Sequence, residues 1–134
     1  PVSLARYTAA FHADRVCFEA TWPDLVARVT VWVSPEDDIE CREVELLNLS
    51  DQPRHLELTS AFDVALCEPR ADEAHPAFSN LFVQAQWRPE QQALVFERKP
   101  RLSTEPGMHA AHFLSDVEAT ITSVHAQTDR ARWL

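Results

Sequence analysis

Apolar and polar residues alternate along most of this chain, and this pattern predicts β-strands. The clearest run spans Leu56–Leu66, where the even-numbered positions are nearly all apolar and Phe62 stands at the centre. Because side chains two residues apart in a strand point to the same side, this run predicts one long strand with one buried face. Similar runs predict further strands at Ala5–Phe11, Val16–Trp22, Val29–Val33, Leu81–Trp87, Ala93–Arg98, Met108–Leu114 and Val117–His125.

The alternation changes phase within Ile39–Asn48. Ile39 and Cys41 share one parity, whereas Val44 and Leu46 share the other. One extra residue would restore a single buried face, so the pattern predicts a β-bulge at Arg42–Glu43. Two strands broken at that point are the alternative.

The predicted turns contain proline, aspartate, asparagine and serine but almost no glycine, since Gly107 is the only glycine. Such residues favour type I turns over the two-residue primed hairpins that require glycine. Regular strand spacing with these turns predicts an all-β fold, an antiparallel β-sandwich of about eight to nine strands. No segment shows a helical stripe bounded by caps, and we expect residues 1–134 to form a single domain.

Composition indicates which partners and which cellular compartment to expect for this chain. The formal net charge is −9, with 12 basic against 21 acidic residues, which argues against a nucleic-acid partner. The one basic cluster, Arg98–Arg101, is interrupted by Pro100, and we interpret it as a solvated loop. No run reaches the ~20 apolar residues of a membrane helix, and no signal peptide is visible, so we expect a soluble piece. Three widely spaced cysteines predict buried, reduced thiols in the cytoplasm.

The sequence presents no constellation of catalytic or metal-binding residues. His109 and His112 are three residues apart on a predicted strand, so they would point to opposite faces and could not chelate one ion. Nucleophile motifs and phosphate-binding glycine loops are missing from the sequence. We therefore expect no catalytic residue, no metal site and no cofactor in this chain.

Trp32 is the residue that could stack on a sugar ring. Its parity is opposite to that of Val29, Val31 and Val33, so it could face solvent, a partner domain or a second buried layer. Both a packing role and a sugar-stacking role are open at this point.

Several segments, taken in order, resemble one known family. They are Val33–Glu40, Glu45–Arg54, Leu58–Ser60, Ala71–Val83, Arg98–Arg101 and Thr128–Leu134. Together they resemble the supersandwich-like β-domain of bacterial cyclic β-1,2-glucan synthases. Similar domains precede the catalytic barrel in cellobiose and chitobiose phosphorylases, which belong with the glycosyltransferase 36-like enzymes.

The resemblance implies that the chain is a fragment of a much larger glycosyltransferase. That parent would be a bacterial inner-membrane enzyme with cytoplasmic sugar-transfer domains, building cyclic β-1,2-glucan from UDP-glucose. The fragment itself is expected to be an inactive, cytoplasmic-side domain that packs beside an (α/α) barrel and helps shape the glucan-binding cleft. His75, Phe78 and Asn80 are the candidate residues for contact with the barrel or with glucan. The alternatives are an autonomous carbohydrate-binding module and a dimerisation domain that forms a homodimer.

Overall fold

The computed structural model describes residues 5–100, 102–118, 120–129 and 132. The chain divides into two compact units, Pro1–Thr59 and Ser60–Leu134, each with an antiparallel sheet of its own. The two units do not test whether residues 1–134 form a single domain, which therefore stays a prediction. The predicted all-β antiparallel architecture is confirmed, with seven strands in the described part of the chain.

The first unit is a four-stranded meander. Its strands are β1 (Arg6–Phe11), β2 (Val16–Thr21), β3 (Leu25–Val33) and β4 (Glu40–Asn48), which lie in the sheet in chain order. Every neighbouring pair is antiparallel. Sequential antiparallel neighbours need only short connections, which the sequence supplies at each predicted turn.

The three hairpin turns of the first unit are made without glycine. Trp22 donates its backbone N–H to Leu25 O at 2.8 Å, closing the β2–β3 turn around Pro23 and Asp24. At the β3–β4 turn, Ser34 Oγ accepts the backbone N–H groups of Glu36 and Asp37 at 3.3 and 3.1 Å. A serine hydroxyl that binds nearby amides replaces backbone hydrogen bonds that a tighter turn would make.

The β-bulge predicted at Arg42–Glu43 is wrong, and so is the alternative of two strands. The β3–β4 register runs without interruption from Leu25 opposite Asn48 to Val33 opposite Glu40. The change of phase arises because apolar residues occupy both faces of this edge strand: Leu46 and Leu47 are neighbours on opposite faces, 45% and 57% exposed.

The second unit contains two short helices followed by three strands. α1 spans Pro69–Ala74 and α2 spans Pro76–Asn80, then β5 (Val83–Arg88), β6 (Ala93–Arg98) and β7 (Met108–Phe113) follow. The strands form an antiparallel sheet in the order β5-β6-β7. Ala93 and Phe96 of the central strand are the most deeply buried apolar residues described, 7% and 8% exposed.

The long strand predicted at Leu56–Leu66 is wrong, and its predicted buried face is covered only in part: Phe62, Val64 and Leu66 are half-buried, whereas Leu56 and Leu58 are 49% and 56% exposed. The segment has no strand pairing in the described structure, and Leu66 ends it with a positive φ of 47°. Phe62 nevertheless lies half-buried, with its ring 5.7 Å from Phe96 and 4.8 Å from His112. The alternation of apolar and polar residues indicates which side of an extended chain faces other residues. A strand also needs a neighbouring backbone whose hydrogen-bonding groups are free.

The strand predicted at Val117–His125 is also wrong for the residues described there. The Asp116 carboxylate accepts the backbone N–H of Glu118 at 3.2 Å and that of Ile121 at 2.7 Å. An aspartate side chain that captures amides in this way competes directly with strand pairing. Val117 is consequently 94% exposed.

The cysteines and the basic cluster also differ from prediction. All three cysteines are free thiols, but they are half-buried rather than buried. Arg98 ends strand β6 instead of lying in a solvated loop, and Lys99 donates its backbone N–H to Phe82 O at 3.0 Å. Arg101 lies outside the described residues.

Candidate functional site

The segment singled out as a candidate contact loop is helical. α1 begins at Pro69, whose missing N–H would have no partner in a first helical turn in any case. It ends at His75, which has φ −149° and ψ 66° and donates its backbone N–H to Ala71 O at 3.3 Å. The sequence analysis found no helix here because six residues are too few to show an apolar stripe.

Pro76 explains why there are two helices rather than one. The helical region is disfavoured for a residue that precedes proline, and the backbone angles of His75 lie outside that region. The same proline then opens α2, where its fixed φ is favourable. The chain therefore changes direction at His75.

Phe78 of α2 leads into a short series of ring contacts. Its ring lies 5.2 Å from that of Phe82, edge to face at 76°. The Arg98 guanidinium lies 5.6 Å from the centre of the Phe82 ring, and its Nη1 donates to Ala65 O at 3.3 Å. Edge-to-face pairing and a cation over an aromatic face are both favourable. These contacts therefore connect Phe78 of α2 through Phe82 to Arg98 of strand β6.

The three predicted contact residues all present exposed side chains on this helical pair. Phe78 is 46% exposed even though it packs on Phe82, and His75 and Asn80 are exposed as well. An exposed aromatic face can stack on a sugar ring, and imidazole and amide groups can exchange hydrogen bonds with hydroxyls. The same groups equally suit the polar rim of a protein interface.

Trp32 belongs to the first unit and lies on β3 opposite Cys41 of β4. It is half-buried and, as its parity predicts, lies on the face opposite to Val29 and Val31. The same face carries Thr30, Arg28 and Glu43, as well as the less polar Cys41 directly opposite Trp32. The structure therefore places Trp32 on the polar face of the sheet, in a different unit from the helical pair.

Arg28 organises the polar face of the first sheet. Its guanidinium donates to Glu19 on β2 at 2.8 Å and to Glu45 on β4 at 3.2 Å, so one cation joins three strands. The hydrogen bonds that Arg28 donates to Glu19 and Glu45 raise the pKa of its guanidinium above the ordinary value. The three charged side chains are partly exposed, with Arg28 47%, Glu19 34% and Glu45 55% accessible to solvent.

The two histidines of β7 occupy different surroundings. His109 pairs across the sheet with Glu97, whereas His112 pairs with Leu94 and lies against Phe62. Within the described residues, no three histidine, cysteine or carboxylate side chains come together as a metal-ligand group. The helices described are also too short and too polar to cross a membrane.

Sequence analysis missed Phe82 and the contacts of Arg98. The available signal was the four-residue spacing of Phe78 and Phe82, which brings two rings together where α2 ends and a turn at residues 81 and 82 follows. That spacing carries information only once the segment is known to be helical, and the two prolines concealed this.

The seven described strands, in two antiparallel sheets, define the class of the chain as all-β and antiparallel. A family model for the glycosyl hydrolase 94 supersandwich domain matches residues 1–134. The chain belongs to this family. This match confirms the supersandwich-like fold class.

One relative is informative about context. The chain is similar to the cyclic β-(1,2)-glucan synthase NdvB of Rhizobium meliloti strain 1021, with 32% identity over 124 residues. The aligned part is 92% of this chain but only 4% of the relative. The resemblance to cyclic β-1,2-glucan synthases is therefore confirmed, and the chain spans a small fraction of the relative it matches.

Proposed function

We propose that this chain is a non-catalytic domain of a much longer cyclic β-1,2-glucan synthase, on the cytoplasmic side of a bacterial inner membrane. In this proposal it packs beside an (α/α) barrel and helps shape the cleft that holds the glucan. The observation that carries the proposal is the supersandwich match over the whole chain, together with the similarity to one stretch of a glucan synthase. Ion pairing on the polar face and ring packing below α2 also support a structural role.

The first test uses the 134-residue chain by itself. We expect no turnover of UDP-glucose and no cleavage of β-1,2-glucan, because the described residues provide stacking and hydrogen-bonding groups without a reacting pair. We also expect no saturable heat when β-1,2-glucan is titrated into the folded chain in a calorimeter. Circular dichroism with a β-sheet signal is the control for folding.

Two outcomes of these assays contradict the proposal. Measurable turnover would show that the chain is itself an enzyme. Micromolar affinity for β-1,2-glucan would favour the second candidate, an autonomous binding module. In that case the exposed ring of Phe78 and the ring of Trp32 would be the groups expected to stack on sugar.

The second test examines the helical pair within the longer enzyme. His75→Ala, Phe78→Ala and Asn80→Ala remove exposed contact groups without disturbing the buried residues of β6. An aromatic contact contributes about 1 kcal/mol, so we expect Phe78→Ala alone to lower glucan synthesis about fivefold at limiting acceptor.

Glu73→Ala is the matched control for this test, since Glu73 is an exposed residue of α1 outside the three contact positions. It should leave synthesis unchanged. If all three contact variants retain full activity, the helical pair touches neither the barrel nor glucan during synthesis.

A further inference from the structure

Residues 66–81 lie between the extended segment that contains Phe62 and the first strand of the second sheet, and they carry both helices of the pair. We call residues 66–81 the helical excursion. Ala65 before it and Phe82 after it are half-buried. Between these ends, the described positions from residue 68 to residue 81 are exposed, apart from a half-buried Asp72. Because so little of the helical excursion is covered, its position depends mainly on what holds its two ends.

The Arg98 side chain contacts both ends of the helical excursion. Its Nη1 donates to Ala65 O at 3.3 Å, directly before the excursion begins. Its guanidinium carbon lies 5.6 Å from the centre of the Phe82 ring, directly after the excursion ends. One half-buried guanidinium therefore binds the first end through a hydrogen bond and the second end through the face of a ring. Arginine suits both contacts, because its planar fork offers several donors and also stacks on aromatic rings.

The backbone places Arg98 where the helical excursion joins the sheet. Val83, the first residue of β5, pairs with Arg98 across the sheet. The next residue, Lys99, donates its backbone N–H to Phe82 O at 3.0 Å, so antiparallel pairing continues to the end of the excursion. The sheet thereby holds the backbone of Phe82, whereas the direction of its ring is set by side-chain contacts.

The Phe82 ring is also the ring on which the contact residue Phe78 packs. The two ring centres are 5.2 Å apart, edge to face at 76°. The backbone N–H of Leu81 donates to Phe78 O at 3.3 Å, which closes the turn between the two rings. A substitution of Arg98 therefore reaches Phe78 through Phe82.

We propose that Arg98 is a positioning residue for the contact groups of the helical pair. By binding both ends of the helical excursion, its guanidinium sets the position of Phe78, and with it the positions of His75 and Asn80. This inference rests on the proposed function, in which these three residues contact the barrel or glucan. Arg98 acts through them and is not itself a contact residue.

Amide hydrogen exchange of the 134-residue chain, followed by mass spectrometry, tests whether Arg98 holds the helical excursion. Arg98→Met keeps most of the apolar stem and removes the charge and the donors. We expect peptides of the helical excursion to exchange about tenfold faster, because a charged hydrogen bond and a ring contact then no longer oppose local opening. Peptides from β5 and β7 should keep their rates.

Two further variants are the controls for this measurement. Arg98→Lys retains a cation that can donate to Ala65 O and lie over the Phe82 ring, so it should restore slow exchange at least in part. Arg88→Met is the matched control, since Arg88 is an exposed arginine that pairs with Ala93 at the other end of the β5–β6 hairpin. It should leave the exchange of the helical excursion unchanged.

Glucan synthesis by the longer polypeptide tests whether Arg98 acts through Phe78. Arg98→Met should raise the KM for acceptor glucan about fivefold and leave kcat unchanged, because it weakens the same contact as Phe78→Ala. The double variant should be no worse than the more impaired single variant. Independent contributions would instead multiply.

Three results would overturn the proposal. Unchanged exchange of the helical excursion in Arg98→Met would show that Arg98 does not hold it. Equally faster exchange in the excursion, β5 and β7 would show that Arg98 supports the whole unit rather than the position of the helical pair. Losses of synthesis that multiply in the double variant would show that Arg98 does not act through Phe78.

The two tests separate this inference from the proposed function. Unchanged exchange in Arg98→Met, together with lower synthesis by Phe78→Ala, would contradict the positioning role alone. Faster exchange in Arg98→Met, together with full synthesis by both single variants, would contradict the proposed contact role of the helical pair. The anchoring of the helical excursion by Arg98 would then still stand.

Discussion

At the scale of single residues, Phe62 shows how a side chain can be correctly assigned while its backbone is not. Its even-numbered parity and apolar neighbours indicated a buried position, and the ring does lie against Phe96 and His112. What the sequence could not show is that this stretch of backbone pairs with no neighbouring strand in the described structure. Pairing depends on residues far away in the chain, whereas alternation is a local property.

We expect Phe62→Ala to lower the free energy of unfolding by about 2 kcal/mol. This is less than the loss at a fully buried phenylalanine, because Phe62 is only half-buried, but it includes the loss of two ring contacts. Chemical denaturation of the 134-residue chain measures the change.

Phe113→Ala is the matched control for Phe62→Ala. Phe113 is 65% exposed at the end of β7, and its replacement should change stability by no more than about 0.5 kcal/mol. Equal losses at the two positions would mean that the packing of Phe62 on the second sheet contributes nothing specific.

At the scale of elements, the β5–β6 hairpin contains a residue in an unfavourable conformation. Gln92 has a positive φ of 48° and donates its backbone N–H to Pro89 O at 3.3 Å, directly before Ala93 opens β6. A side chain in the left-handed region costs roughly 1–2 kcal/mol, which glycine does not incur.

We therefore expect Gln92→Gly to stabilise the chain. The strain energy removed by glycine should exceed the entropic cost of its greater freedom in the unfolded state. The free energy of unfolding should therefore rise by about 0.5 kcal/mol. A rise in the thermal midpoint would report it.

The neighbouring Gln91→Gly has the opposite expected sign. Gln91 is not among the described residues with positive φ, so glycine there adds unfolded-state freedom without relieving strain. A higher midpoint for both variants would show that the hairpin simply tolerates glycine and that Gln92 stores no strain.

The elements predicted from local pattern were mostly correct, and the errors have local physical causes. β1, β2, β3, β5, β6 and β7 follow their predicted alternation. The bulge in β4 was inferred from a single buried face, which an edge strand does not need. The two helices were missed because prolines at 69 and 76 read as loop signals, although each stands where a helix accepts proline.

At the scale of the whole molecule, two kinds of information were needed for the candidate site. The family resemblance made His75, Phe78 and Asn80 candidate contact residues, and the structure shows that these residues are exposed on a helical pair. The supporting contacts of Phe82 and Arg98 were beyond sequence reasoning, because they join α2, the turn that follows it and the distant strand β6. The family match then related the chain to a much longer relative, which no contact among the described residues could have indicated.

The uninterrupted β4 has a consequence for how this chain behaves in concentrated solution. Its nine residues include Glu40, Arg42, Glu43 and Glu45, so its outer edge is lined with charge that disfavours stacking of another chain. β1, at the other border of the sheet, carries Arg6 as its single charged residue. Any fibrillar growth of the separated chain would therefore begin along β1, and a lysine placed there would act as a gatekeeper.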